Sequence, residues 1–201
     1  MLSKSEFDGI LGPIADPTAK IQTLGALLAK NSGMGSRLVI AGGSAISIYS
    51  HGRYTSGDID VVGDKARIAP ILRRWGFASA EDPDGRVYWT REDLGLVIDI
   101  IHRSPSTGSG RSGRLRKIVT DYGPVSVSAV EDLIVRRLVF WSRDGKPELM
   151  DQAVALYVEN REEIDVPYLE GEIGWERADA AYRELLRLAG PGFREEYEGG
   201  P

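Results

Sequence analysis

Residues 37–62, RLVIAGGSAISIYSHGRYTSGDIDVV, decide how this chain is read. An apolar run from Arg37 to Ala41 ends at Gly42-Gly43, which predicts a short buried strand stopping at a glycine turn. Ser44 is placed to cap a short helix running through Ile46 and Ile48 to about Tyr49. His51 to Gly57 is polar and reads as a turn. The run Asp58-Ile59-Asp60-Val61-Val62 then predicts a second strand. Residues two apart share a face of a strand, so Asp58 and Asp60 converge while Ile59 turns to the core.

Two chemistries follow from that stretch. Gly42 and Gly43 carry no side chain, so a phosphate can approach their N–H groups closely. The helix start adds the positive end of its dipole, and Ser44 adds a hydroxyl donor. Taken alone, such a turn is equally well explained by steric need. Asp58 and Asp60 raise each other's pKa, and a divalent cation relieves that repulsion. Ligands that are all oxygen suit magnesium or manganese. A third carboxylate, Asp99, sits inside the apolar run Leu96-Val97-Ile98-Asp99-Ile100-Ile101. A buried carboxylate needs a partner, either an arginine or a cation shared with Asp58 and Asp60.

Outward from this stretch, residues 17–31 show one apolar stripe (Ile21, Leu24, Leu27, Leu28) and predict a helix begun by Pro17. Residues 65–75 predict another, interrupted or kinked at Pro70. Val87 to Thr90 and Leu94 to Ile101 read as a hairpin, and residues 104–113, SPSTGSGRSG, as a flexible loop. Lys117 to Val119 and Val125 to Val127 predict a strand pair around Gly123-Pro124. Beyond Ser128 the pattern turns helical. AVEDLIVRRLVFW follows a Ser128/Glu131 capping box, ELMDQAVALYVEN is a second helix, and residues 175–189 form a third. The tail EEYEGGP reads as disordered. The expected plan is α/β (α+β): a mixed sheet flanked by helices over residues 1–127, then a helical region, 128–201. The four tryptophans are assigned to the core, and His51 and His102 to the surface.

The 201 residues are 42% hydrophobic, carry a formal charge of −5 and include no cysteine, which excludes thiolate metal sites and cysteine nucleophiles. No stretch approaches the roughly 20 apolar residues of a membrane helix, and the first residues lack a signal-peptide pattern. These features predict a cytoplasmic protein with no membrane partner. The net charge argues against a general nucleic-acid binder. A local basic segment, Arg103, Arg111, Arg114, Arg116 and Lys117, suits either RNA phosphates or a solvated loop.

The order Gly-Gly-Ser, then Asp-x-Asp about fifteen residues on, then a lone Asp in a later apolar strand, resembles the polymerase-beta-like nucleotidyltransferase superfamily. GRYTSGDIDVV resembles the approach to Asp-x-Asp in small bacterial members. VEDLIVRRLVFWSR and PELMDQAVALYVENREEIDVPYL resemble the C-terminal helices of the abortive-infection type IV nucleotidyltransferase toxins. The likeness runs over roughly residues 37–170. It implies that Asp58 and Asp60 hold Mg2+ (or Mn2+) and that Asp99 is a further ligand or the base. It implies that Gly42, Gly43 and Ser44 hold the phosphates of a nucleoside triphosphate. Arg137 stands where the relatives often have lysine, and Asp151 matches their aspartate; both are implied nucleotide contacts. The implied activity moves a nucleoside monophosphate to an acceptor hydroxyl with release of pyrophosphate. The implied acceptor is tRNA or another RNA, with a cognate antitoxin protein as partner. A small-molecule acceptor such as an aminoglycoside, a protein side chain, or an inactive copy of the fold that only binds are the alternatives.

Overall fold

The computed structural model describes residues 1–83, 86–101 and 113–190. It divides into two compact units, one holding the residues up to Ile101 with Arg114–Ser128, the other holding Ala129 onward.

The first unit opens with helix α1 (Lys4–Leu11), which the sequence reading had missed. Its signal was present: Ser3 caps the helix and Glu6 bonds back to the Ser3 backbone, a reciprocal capping box. Helix α2 (Pro17–Asn31) starts at the expected proline, with Asp16 accepting from the Thr18 N–H. Strand β1 is only Val39–Ile40, because Gly35–Arg37 form a 3-10 turn instead of extending it. Helix α3 (Gly42–Tyr49) and strand β2 (Ile59–Val62) follow. Helix α4 (Lys65–Arg74) runs unbroken through Pro70; Ile68, Ala69, Ile71 and Leu72 are buried on both sides of it and hold the helix together. Strands β3 (Ala78–Glu81), β4 (Val87–Arg91) and β5 (Leu96–Ile101) form an antiparallel meander. Strands β6 (Leu115–Thr120) and β7 (Gly123–Ser128) complete the unit.

The result is one seven-stranded sheet in the order β3-β4-β5-β2-β1-β7-β6. It is mixed: β2 runs parallel to β5 and β1 parallel to β7, while β1 and β2 are antiparallel. One face is the core. Ile40, Val61 and Ile100 are buried in one row, and Ile59, Ile98 and Trp89 in the next. Helix α2 lies on this face with Gly25 against Ile40 and Val125, where a Cβ would come within 2.7 Å of the Val125 side chain. Gly123 and Pro124 belong to β7 itself, and the turn falls at Asp121-Tyr122 instead. The β1 partners in β7 are Ser126 and Val127, so Pro124 lies past the end of β1, where its missing N–H breaks no ladder bond on that side.

Arg91 is the one charged residue of these strands that points into the core, with 4% exposure. Its guanidinium donates to the Trp75 carbonyl, to Asp8 on α1 at 2.8 Å and to Asp93 at 2.7 Å. Phe7 of α1 stacks on Trp75 with ring centroids 4.3 Å apart. The pairing with Arg91 holds the Asp93 carboxyl down at about 2. Replacing Arg91 with methionine should cost about 2 kcal/mol, because the Trp75 carbonyl loses its donor while both carboxylates retain access to water. Urea denaturation of the variant measures this.

The second unit contains α5 (Val130–Asp144), α6 (Pro147–Glu159), α7 (Val166–Glu176) and α8 (Asp179–Leu188). The N-cap of α5 is Ala129, since Ser128 stays in β7; Glu131 instead accepts from the Asp165 N–H at 2.9 Å. The expected single helix over 175–189 is two helices, broken at Arg177, whose φ is +56°. Trp175 is 60% exposed and Trp141 half-buried, whereas Trp75 and Trp89 are core. His51 is exposed; His102, Arg103, Arg111, the loop over 104–112 and the EEYEGGP tail lie outside the described residues.

Candidate active site

The second face of the sheet carries the acidic residues. In register, Asp60 of β2 lies opposite Asp99 of β5, and Asp99 opposite Tyr88 of β4. Paired residues point the same way, so the three form one row. Along β5 the alternation is strict: Leu96, Ile98 and Ile100 are buried, whereas Val97, Asp99 and Ile101 are partly open. Asp58 precedes β2 by one residue and lies within electrostatic reach of Asp99. Asp60 and Asp99 are thus brought to one side of the sheet, with Asp58 in the bend just before β2.

The glycine turn is built around these carboxylates. Gly42 has φ +56°, and a Cβ there would fall onto the Asp60 carboxylate, with Cγ only 2.6 Å away. The Gly43 N–H donates to Asp60 Oδ2 at 3.0 Å. A Cβ on Gly43 would come within 2.6 Å of the Ser56 hydroxyl, and that hydroxyl donates to Asp58 Oδ1 at 2.9 Å. Ser44 is not the helix cap. Ala41 occupies that position with extended backbone and no capping side chain, and Ser44 is the third helical residue. It is fully buried, donating to the Asp58 carbonyl at 3.0 Å and accepting from the Asp60 N–H at 3.2 Å. The Gly-Gly-Ser turn therefore sets the position of the aspartate strand through its backbone and one hydroxyl. Ser56 was absent from the sequence reading, although its spacing two residues before Asp58 was visible.

Burial raises the Asp99 carboxyl above its ordinary value, and the Asp58 and Asp82 charges add to this. The Arg86 guanidinium opposes the shift without cancelling it. All the candidate ligands are carboxylate oxygens, a donor set that suits a hard divalent ion. Among the described residues no three Asp, Glu, His or Cys side chains stand gathered as a finished cation cage. Asp60 and Asp58 each direct an oxygen to a neighbouring donor, Gly43 and Ser56. Arg137 lies on α5 and Asp151 on α6, both half-buried within the second unit.

The raised Asp99 value has a stability consequence. An acid with a raised folded-state pKa is penalised when charged, so at neutral pH it destabilises the fold. The penalty is relieved as pH falls through the folded value. Asp99→Asn should therefore raise the thermal midpoint at pH 7. The gain should vanish below about pH 3, where aspartate is neutral in both states. Scanning calorimetry at the two pH values checks this.

No protein-family profile matches the chain, and no curated protein matches it. Solved structures do. An antigenic nucleotidyltransferase-like protein from Paracoccidioides brasiliensis is similar with a TM-score of 0.50 and 13% identity, over 84% of this chain and 93% of that one. ANT(2")-Ia in complex with adenylyl-2"-tobramycin is similar with a TM-score of 0.50 and 17% identity, over 79% of this chain and 95% of that one. The chain thus has a nucleotidyltransferase fold, a mixed sheet with helices. No helix among the described residues is long and apolar enough to cross a membrane.

Proposed function

We propose that this chain is a nucleotidyltransferase that moves a nucleoside monophosphate from a nucleoside triphosphate to an acceptor hydroxyl. The observation that carries this reading is the row of Asp60 and Asp99, with Asp58 beside it, against the amino end of α3. Asp58 and Asp60 would hold magnesium or manganese, and the glycine turn at the amino end of α3, where Gly42 and Gly43 carry no side chain, would leave room for the phosphates beside them. A bound divalent ion supplies neutralisation of the triphosphate charge and stabilisation of the leaving oxygen. Asp99, on the far side of the row from the glycine turn, accepts the proton of the acceptor hydroxyl. The acceptor oxygen forms a bond to the α-phosphorus. The bond from that phosphorus to the bridging oxygen breaks, and pyrophosphate leaves with the electron pair. The raised carboxyl of Asp99 favours its work as a base, because it holds a proton more readily than an ordinary aspartate.

The sequence likeness to abortive-infection toxins supports an RNA acceptor and a cognate antitoxin, in a cytoplasmic setting. The structural likeness to ANT(2")-Ia supports a small-molecule hydroxyl instead. Incubation with each α-labelled nucleotide, magnesium, and in turn bulk RNA, bulk protein and tobramycin separates these acceptors. Absence of transfer to all three, with nucleotide binding intact, would leave the chain a binding protein.

A further inference from the structure

Strand β6 is the last strand of the sheet, and among the described residues no strand pairs with its outer side. Thr120 pairs with Gly123 across the two-residue turn Asp121-Tyr122, and hydrogen-bonded and open pairs alternate from there. Thr120, Ile118 and Arg116 therefore exchange hydrogen bonds with β7. Val119, Lys117 and Leu115 turn their N–H and C=O groups outward instead. The side chains of this second set are exposed as well. Leu115 is 44% accessible, and Val119, at 85%, is the most exposed large apolar side chain among the described residues. The opposite edge of the sheet is built differently. β3 has four residues, its apolar ones are only alanines, and it runs into the acidic pair Glu81-Asp82. A short, charged edge resists further pairing, whereas a six-residue edge with no proline and no bulge invites it.

We infer that the outer edge of β6 is a dimer interface, filled by β6 of a second copy of this chain running antiparallel about a twofold axis at Ile118. The inference does not depend on the transferase reading. Outward-facing residues must meet outward-facing residues, so the axis passes through a residue and not between two. An axis at Lys117 would set two ammonium groups directly against each other, which is unfavourable. An axis at Val119 would run half of the ladder into the turn. The axis at Ile118 pairs Ile118 with its own copy, Lys117 with Val119, and Arg116 with Thr120. The strand is also polarised in charge: Lys117 lies in its first half, and the exposed Asp121 follows its end. An antiparallel copy therefore brings Asp121 of one chain diagonally to Lys117 of the other, while the Lys117 methylene stem covers the exposed Val119. The twofold axis makes each of these contacts twice. The ladder is narrow, so the dimer is weak, with a Kd of about 10–100 μM.

The chain contains no cysteine, so a single introduced one reports the geometry. Across the axis, the Cα atoms of an open antiparallel pair stand about 4.5 Å apart, within disulfide reach, whereas two Lys117 positions would lie diagonally, roughly 7–8 Å apart. Under mild oxidation the full chain carrying Ile118→Cys should therefore link into dimers about tenfold faster than Lys117→Cys, although position 117 is the more exposed. Sedimentation velocity of the wild type from about 1 to 300 μM should show monomer passing into dimer. Val119→Lys, which sets a second cation against Lys117, should weaken the dimer by roughly tenfold, while Val119→Glu should retain or strengthen it. Both substitutions fall on an exposed side chain, and circular dichroism confirms that each variant is folded. A monomer at every concentration overturns the inference. Faster linking through position 117 does the same, as does an equal loss of dimer in Val119→Lys and Val119→Glu.

Discussion

Asp60→Ala is expected to abolish label transfer from nucleotide to acceptor, by roughly a thousandfold or more. Asp60 is the hub of the site. It sits opposite Asp99 across the parallel β2–β5 pair, and its Oδ2 takes the Gly43 N–H. Losing it removes a proposed ligand of the ion that stabilises the reacting phosphate, an effect of several kcal/mol, and about 1.4 kcal/mol corresponds to tenfold in rate. Alanine also leaves Gly43 without its carboxylate, so some of the loss could be structural. Asp60→Asn separates the two causes. The amide oxygen can still accept from Gly43 while the charge is gone. We expect Asp60→Asn to fold with a wild-type circular dichroism spectrum and to transfer as little label as Asp60→Ala. Transfer near the wild-type rate in Asp60→Asn would remove the proposed chemistry.

Gly42→Ala should be the most damaging substitution that removes no functional group. Two penalties coincide there. The backbone lies at φ +56°, a region that costs a residue with a Cβ about 1–2 kcal/mol. The new Cβ would also fall on the Asp60 carboxylate, which is held in place by Gly43 and by the strand. We expect a combined cost of about 3 kcal/mol, a midpoint lower by roughly 10 °C at this chain size, and a transfer rate down by roughly a hundredfold as Asp60 is pushed from the row. Gly33→Ala is the control. Its φ is +65°, but a Cβ there meets nothing within 4 Å. It should show the backbone cost alone and retain activity. Equal losses in the two variants would mean that the close approach to Asp60 is unimportant.

Much of this arrangement was legible in residues 37–62. The alternation of Asp58-Ile59-Asp60 placed both carboxylates on one face, and the lone charge in Leu96–Ile101 marked Asp99. What could not be read was pairing. That β2 lies parallel to β5, in a register that sets Asp60 against Asp99, is a long-range fact that no local period encodes. Ser44 illustrates the same limit. Its type and position suggested a cap, but the chain kept extended backbone at Ala41, and the hydroxyl went to β2. Ser128 likewise completed β7 instead of capping α5, because a strand pairing with Leu115 took it first. Tyr88 carried no motif at all; only the hairpin register sets it opposite Asp99. The helix break at Arg177 hid because a non-glycine residue adopted the left-handed conformation there.

The four indoles are divided two and two: Trp75 and Trp89 lie in the first unit, Trp141 and Trp175 in the second. Their emission colours should differ, blue from the enclosed pair and red from the water-facing Trp175. Exchanging either pair for phenylalanine leaves a chain whose fluorescence comes from one unit alone. Melting the two versions side by side would reveal whether the halves let go together or one after the other, with no dye or tag attached.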